Sequence, residues 1–268
     1  MNSDSVTTEQ ETKALHLLRL REVSFSYLDG VETLQNIHLD LAPGEFHCLI
    51  GRSGCGKTSL LKLAAGLLLP KNGEVVWNNK PLDAPQSDMG FVFQRPTLLE
   101  WLDVLDNVLL PVALHRKIAT PDFDKAKNLL QSIGLANKLH NKPAELSGGQ
   151  QSRVAIARAL ITSPRILFMD EPFASLDAIT REELQRDLMT ICAQHKTSIL
   201  FVTHDIGEAV YLGDQVSVMV EGKIHHALKI DLPQPRHNAI RHSPEFNQRH
   251  MFIVLLQESI KKITSNDQ

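Results

Sequence analysis

Three observations predict an α/β fold: a mixed sheet flanked by helices, with an antiparallel β portion at its start and a helical insertion within it. Short, continuous apolar runs recur and stop abruptly at polar clusters, as strands buried on both faces do. One of them, residues 45–50, leads through Gly51-Arg52-Ser53-Gly54-Cys55-Gly56-Lys57-Thr58 directly into a helical pattern over 59–65. From Leu98 to about Lys142 the composition turns to Leu and Ala at helical spacing.

Taken in order, residues 1–14 are Ser-, Thr- and Glu-rich, with no apolar stretch of the kind a secretory signal carries, and are expected to form a loose tail. Residues 15–27 and 34–41 read as strands divided by the turn Leu28-Asp29-Gly30. Tyr27 is one of only two tyrosines; it is either a strand aromatic in packing or a ring placed to stack on a base. The glycines of 51–58 let backbone N–H groups crowd around a phosphate chain, and the helix that follows points its positive end at the same charge. Lys57 would bridge the terminal phosphates and the Thr58 hydroxyl would ligate Mg²⁺. Lys71-Asn72-Gly73 turns into a strand over 74–77, and 89–93 reads as a buried strand ending at Gln94, just before a helix-blocking Pro96. That amide is either a surface group or one that reaches a metal-bound water. Helices are expected over 104–114 and 123–133, the second closed by Gly134.

Leu146-Ser147-Gly148-Gly149-Gln150 precedes a helical pattern over 151–160. Ser147 suits an N-cap, and the two glycines leave amides exposed, so this is either a capped helix start or a second anion site. The apolar run 165–169 ends in Asp170-Glu171, at the carboxyl end of an expected parallel strand, where α/β sheets hold their ligands. Asp170 would hold Mg²⁺ through water, and Glu171 would orient the attacking water as general base. Ser175-Leu176-Asp177 follows in a loop, then a helix over 181–194. The strand 198–203 ends in His204-Asp205, a third strand end on the same sheet edge, where His204 could donate to a terminal phosphate oxygen. Residues 215–224 read as an antiparallel pair around Glu221-Gly222; His225-His226 lacks metal-ligand spacing and is expected on the surface. From Leu232-Pro233-Gln234-Pro235 onward a tail is expected, ending in a short amphipathic helix over 246–263.

The 268 residues suit one large α/β domain with room for a small appended subdomain, and 43% hydrophobic content is enough for a sizeable core. A net charge of -3 gives no reason to expect nucleic acid as a partner. The three cysteines have no metal-ligand spacing and suit a reducing cytoplasm. No apolar run approaches the roughly 20 residues that span a bilayer, so a membrane would be met through a partner.

Together these pieces resemble the ATP-binding cassette ATPases over about residues 17–230: the phosphate loop, Gln94 as the Q-loop, 146–150 as the signature, 166–171 as the second nucleotide motif, Asp177 in the D-loop and His204 as the switch histidine. Thr58-Ser59 reverses the commoner Ser-Thr order but keeps a hydroxyl for the metal. The resemblance implies a phosphate-loop NTPase core over 15–230 with a helical insertion over about 98–160, and ATP and Mg²⁺ as cofactors. It implies binding by Tyr27, by Gly51, Arg52, Ser53, Gly54, Cys55, Gly56, Lys57, Thr58 and Ser59, by Asp177, and, from a second copy, by the signature residues Ser147, Gly148, Gly149 and Gln150. Catalysis would fall to Glu171, His204 and Gln94, and the metal to Thr58, Gln94 and Asp170. It further implies a head-to-tail homodimer closing on two ATP molecules at the cytoplasmic face of a membrane. An integral permease would dock on the helical insertion and on the segment after Gln94, and an extracytoplasmic solute-binding protein would act indirectly. The stretch from Phe93 through Trp101 to Val108, Asp170-Glu171-Pro172-Phe173 and Leu232-Pro233-Gln234-Pro235-Arg236 are similar to the nitrate/sulfonate/taurine importers, a group that also takes up thiamine-precursor pyrimidines. The rival is a soluble cassette ATPase of chromosome maintenance or DNA repair, which would need a long coiled coil between Thr58 and Leu146; no heptads occur there.

Overall fold

The computed structural model of the protein describes residues 16–27 and 30–266, with side chains through Ile260. The expectation for 1–14 and two residues of the first turn, Leu28 and Asp29, lie outside them. The chain opens with strands β1 (Leu18–Ser26), β2 (Glu32–Leu41) and β3 (Phe46–Gly51), then helix α1 (Lys57–Ala64) and strands β4 (Asn72–Trp77), β5 (Lys80–Pro81) and β6 (Met89–Val92). Helices α2 (Val104–His115), α3 (Thr120–Ser132) and α4 (Gly148–Leu160) follow. The second half runs β7 (Ile166–Asp170), α5 (Ala178–His195), β8 (Ser198–Thr203), α6 (Ile206–Leu212), β9 (Gln215–Val220), β10 (Lys223–Lys229) and α7 (Pro244–Asn266).

Two sheets form. The smaller is antiparallel, in the order β2-β1-β4-β5; the larger runs β10-β9-β3-β8-β7-β6, parallel except for the β9–β10 hairpin. Side chains alternate across the larger sheet as pleating requires. Cys48, Ile50, Leu167, Met169, Ile199 and Phe201 enter a core shared with α2 through α7. Leu49, Ile166, Phe168, Leu200 and Val202 enter a second core closed by α1 and the antiparallel sheet. That is why β3, β7 and β8 read as unbroken apolar runs: every residue of each is buried.

Two differences from the sequence reading matter. The short helix α6 directly follows His204-Asp205 and was not expected; seven residues are too few to display a helical period, and its one local signal is Asp205, whose carboxylate accepts from the Glu208 N–H as an N-cap. The segment beyond Leu232 is not an appended tail with a short helix. Arg236 is 4% exposed, and α7 spans 23 residues and buries Phe246, Ile253 and Ile260 in the core beneath the helices.

Candidate functional site

Parallel strand order sets the site. β3, β8, β7 and β6 lie side by side, in registers Ile50↔Thr203, Asp170↔Val202 and Val92↔Met169. The chain leaves their carboxyl ends as Gly51, His204, Glu171 and Gln94, on one edge of the sheet. A cavity of about 490 Å³ opens there, lined by Ser53, Gly54, Gly56, Lys57, Thr58 and Ser59 of the phosphate loop together with Thr33, Gln94, Asp170, Glu171 and His204.

The phosphate loop is shaped by its packing. A Cβ at Gly51 would collide with the Met219 carbonyl on β9 and lie 2.7 Å from Cys55 Sγ, so no side chain fits. Gly56, at φ 100°, holds the left-handed turn into α1, and a Cβ there would meet Leu34 at 2.7 Å. Lys57 is buried and donates to the Gly51 and Arg52 carbonyls at 2.8 and 2.9 Å, which pins its ammonium at the cavity wall. The Thr58 hydroxyl donates to Asp170 Oδ1 at 3.1 Å. Burial pushes the Asp170 carboxyl up; the Thr58 hydrogen bond opposes this, and the neighbouring Glu171 adds to it.

Glu171 adopts φ 44°, a region non-glycine residues rarely enter, while its N–H stays bonded to Val202 on β8 at 3.0 Å. The strained turn swings the carboxylate toward His204, whose Nδ1 shares a 3.0 Å hydrogen bond with Glu171 Oε2. Tyr27 is half-exposed at the rim, its hydroxyl 3.1 Å from Ser59 Oγ, so its ring edge is anchored to the loop that lines the cavity.

Not every expected binding residue lies in this cavity. Arg52 and Cys55 line a separate cleft behind the loop, facing Val254, Gln257 and Glu258 of α7, and the buried Cys55 belongs to the core. Ser147, Gly148, Gly149, Gln150 and Asp177 do not line it at all. Ser147 caps α4 in a reciprocal box: its Oγ accepts from Gln150 N at 3.3 Å, and Gln150 Oε1 accepts from Ser147 N at 3.0 Å. Asp177 caps α5 by accepting from Thr180 N at 3.0 Å, and these backbone bonds hold its carboxyl below the usual range. The two helix starts lie against each other, since a Cβ on Gly149 would lie 2.9 Å from Thr180 Cγ2.

Sequence reasoning missed the residues that brace the site. Arg158 on α4 donates to the Pro96 and Thr97 carbonyls at 2.9 Å, tying the segment after Gln94 to the helix that begins at the signature. Asn107, fully buried on α2, bonds both ways with the Leu99 backbone and donates to Leu102 and Asp103, folding the loop that leaves Trp101 72% exposed. Asn107 falls in the stretch similar to the importers, but nothing in the sequence gives either residue a bracing role.

Comparison with known proteins identifies the family. The sequence pattern of the family described as ABC transporter matches residues 34–174, over half of the chain. The aliphatic sulfonates import ATP-binding protein SsuB of Pectobacterium atrosepticum is 41% identical over 226 residues, 84% of this chain and 83% of that protein. A dimeric post-hydrolysis structure of the ATP-binding cassette MJ0796 bound to ADP and Pi superposes with a TM-score of 0.73 at 31% identity, over 81% of this chain and all of that one. The structure of cbiO1 from Clostridium perfringens, part of the ABC transporter complex cbiONQ, superposes with a TM-score of 0.75 at 26% identity, over 92% of this chain and 99% of that one. The chain belongs to the ABC transporter family, as one of its ATP-binding and ATP-hydrolysing cassettes.

Proposed function

We propose that this cassette is the peripheral, cytoplasmic ATPase subunit of an importer, working as a homodimer beneath an integral permease. The observation that carries the dimer is the separation of the two anion-binding helix starts: the α1 start lines the cavity, while the α4 start with its exposed Ser147 and Gly148 does not. A second copy, arranged head to tail, supplies the missing face. In that arrangement Lys57 and the α1 amides hold the phosphate chain, Tyr27 stacks on adenine, and the partner's signature closes over the terminal phosphate. Glu171 takes the proton of the attacking water, and His204, bonded to Glu171, orients that carboxylate and reaches the terminal phosphate.

The residues fit Mg²⁺. The Thr58 hydroxyl and Asp170 carboxylate are hard oxygens 3.1 Å apart, with the Gln94 amide lining the same cavity. Bound there, Mg²⁺ would neutralise charge on the terminal phosphates.

Among the described residues no helix is long and apolar enough to cross a membrane, so solute passage falls to the permease. Exposed Phe93, Trp101 and Leu114 offer it an apolar surface beside Gln94 and on the helical insertion. The solute class follows the sulfonate importer relative and the similarity to the nitrate/sulfonate/taurine group, and an external solute-binding protein completes the assembly. The test is light scattering on Glu171→Gln protein with and without ATP and Mg²⁺. ATP should convert monomer to dimer, and Ser147→Arg should abolish the shift while leaving nucleotide binding to the monomer intact. Weakened monomer binding in Ser147→Arg would overturn the two-copy site. In proteoliposomes with permease and binding protein, an alkanesulfonate should stimulate hydrolysis; its failure would overturn the solute class alone.

A further inference from the structure

The switch histidine has covalent neighbours that are gripped from the C-terminal segment. Thr203 Oγ1 donates to Glu208 Oε2 at 2.6 Å and accepts from the Asp205 N–H at 3.0 Å, so the backbone on both sides of His204 hangs on one carboxylate of α6. Glu208 Oε1 accepts from Gln185 Nε2 of α5 at 3.0 Å, and Gln185 Oε1 accepts from Arg241 Nη2 at 2.6 Å. Gln185 is wholly buried, and Glu208 and Thr203 nearly so. The chain of bonds has a fixed polarity. With a guanidinium at one end and a carboxylate at the other, the amide can point only one way, because a flipped Gln185 would set N–H against the cation and O against the anion.

The far end is itself fixed. The Arg241 guanidinium lies 3.8 Å from the centre of the Tyr211 ring on α6. The Arg236 side chain, fully buried, donates to the Tyr211 and Gly213 carbonyls at 2.9 and 2.7 Å, closing the C-terminal end of α6. Residues 236–241 therefore hold both ends of the helix that follows His204: the first turn through Gln185 and Glu208, the last turn directly.

We propose that Arg241, acting through Gln185 and Glu208, is a positioning residue for His204, so that the segment after β10 sets the geometry of the His204–Glu171 pair. This rests on the role of His204 given above. Displacing the segment releases Glu208, lets the turn at 203–205 relax, and lengthens the 3.0 Å bond from His204 to Glu171 without touching the phosphate loop.

The test uses the full chain with Arg241→Ala, Arg241→Lys and Gln185→Met, the last keeping volume while removing both bonds. ATPase kinetics are measured alongside nucleotide affinity and the side-chain ¹⁵N NMR signal of His204, assigned by its loss in His204→Gln. Arg241→Ala and Gln185→Met should lower kcat roughly tenfold with KM and affinity changed less than about twofold, and both should shift the His204 signal. Arg241→Lys, which keeps a cation over Tyr211 and one donor, should recover most of the rate. An unmoved His204 signal in Gln185→Met, with normal kcat and only a lower melting temperature, would reduce the chain of bonds to scaffolding and overturn the proposal. A shifted signal alongside normal hydrolysis by His204→Gln would instead overturn the catalytic role of His204 on which the proposal rests. Should Arg241→Ala fail to fold, Gln185→Met alone decides.

Discussion

Glu171 shows how much a single residue carries. Its φ of 44° is an arrangement a glycine would adopt more easily, yet the turn places its carboxylate against His204 at the mouth of the phosphate cavity. Glu171→Gln keeps the shape and removes the carboxylate proposed as the base. Hydrolysis should slow by roughly 10²- to 10⁴-fold while ATP affinity stays within about twofold, read as phosphate release against fluorescent-nucleotide titration. Normal turnover would assign the base elsewhere.

His47 makes a different residue-scale statement, at the opposite end of β3. Burial lowers its pKa from 6.5 to about 4, so it is neutral in the fold and bonds to Ser217 at 2.8 Å. The unfolded chain binds this proton more readily, so the stabilisation is full above pH 6.5 and drains away as pH falls toward 4, on the order of 3 kcal/mol in all. Burial raises the carboxyls of Glu45, Asp170 and Glu208, which works in the opposite direction, so the comparison must be between variants. The urea midpoint of wild type should fall more between pH 7 and pH 4.5 than that of His47→Gln. Parallel declines would show that His47 does not titrate on unfolding.

At the scale of elements, the helices between β6 and β7 form a platform whose loop is folded from within by Asn107 and tied to the Gln94 segment by Arg158. Trp101 stands out on that loop without supporting it. Trp101→Ala should change stability by less than about 0.5 kcal/mol and leave the ATPase of the free cassette intact, while lowering recovery of the co-expressed permease complex. Full recovery would move the docking surface away from this loop.

At the scale of the whole molecule, α7 joins the main core rather than trailing from it. Ile253 is 1% exposed and sits between Phe246 and Ile260, seven residues away on either side. Ile253→Ala should cost about 2–4 kcal/mol in urea unfolding with an unchanged slope. No loss would mean that this helix contributes nothing to the cooperative unit.

The sequence by itself determined the order of strands and helices around the phosphate loop, and the residue types at each strand end. Both are local: a strand buried on two faces writes itself as an apolar run, and a loop that crowds amides around phosphate needs glycines at set intervals. It also determined the Ser147 cap, because the capping box closes within four residues. Tertiary structure decided which of these motifs meet. Parallel pairing of β3, β8, β7 and β6 gathers Lys57, Thr58, Asp170, Glu171, His204 and Gln94 at one edge and leaves the signature outside. It turned the Cys55 side chain into the core, and it converted the Pro-rich stretch after β10 into a clamp on α6, through contacts that carry no period and no motif. Bonds such as Arg241 to Gln185 join residues 56 apart, and only the packed chain brings them within reach.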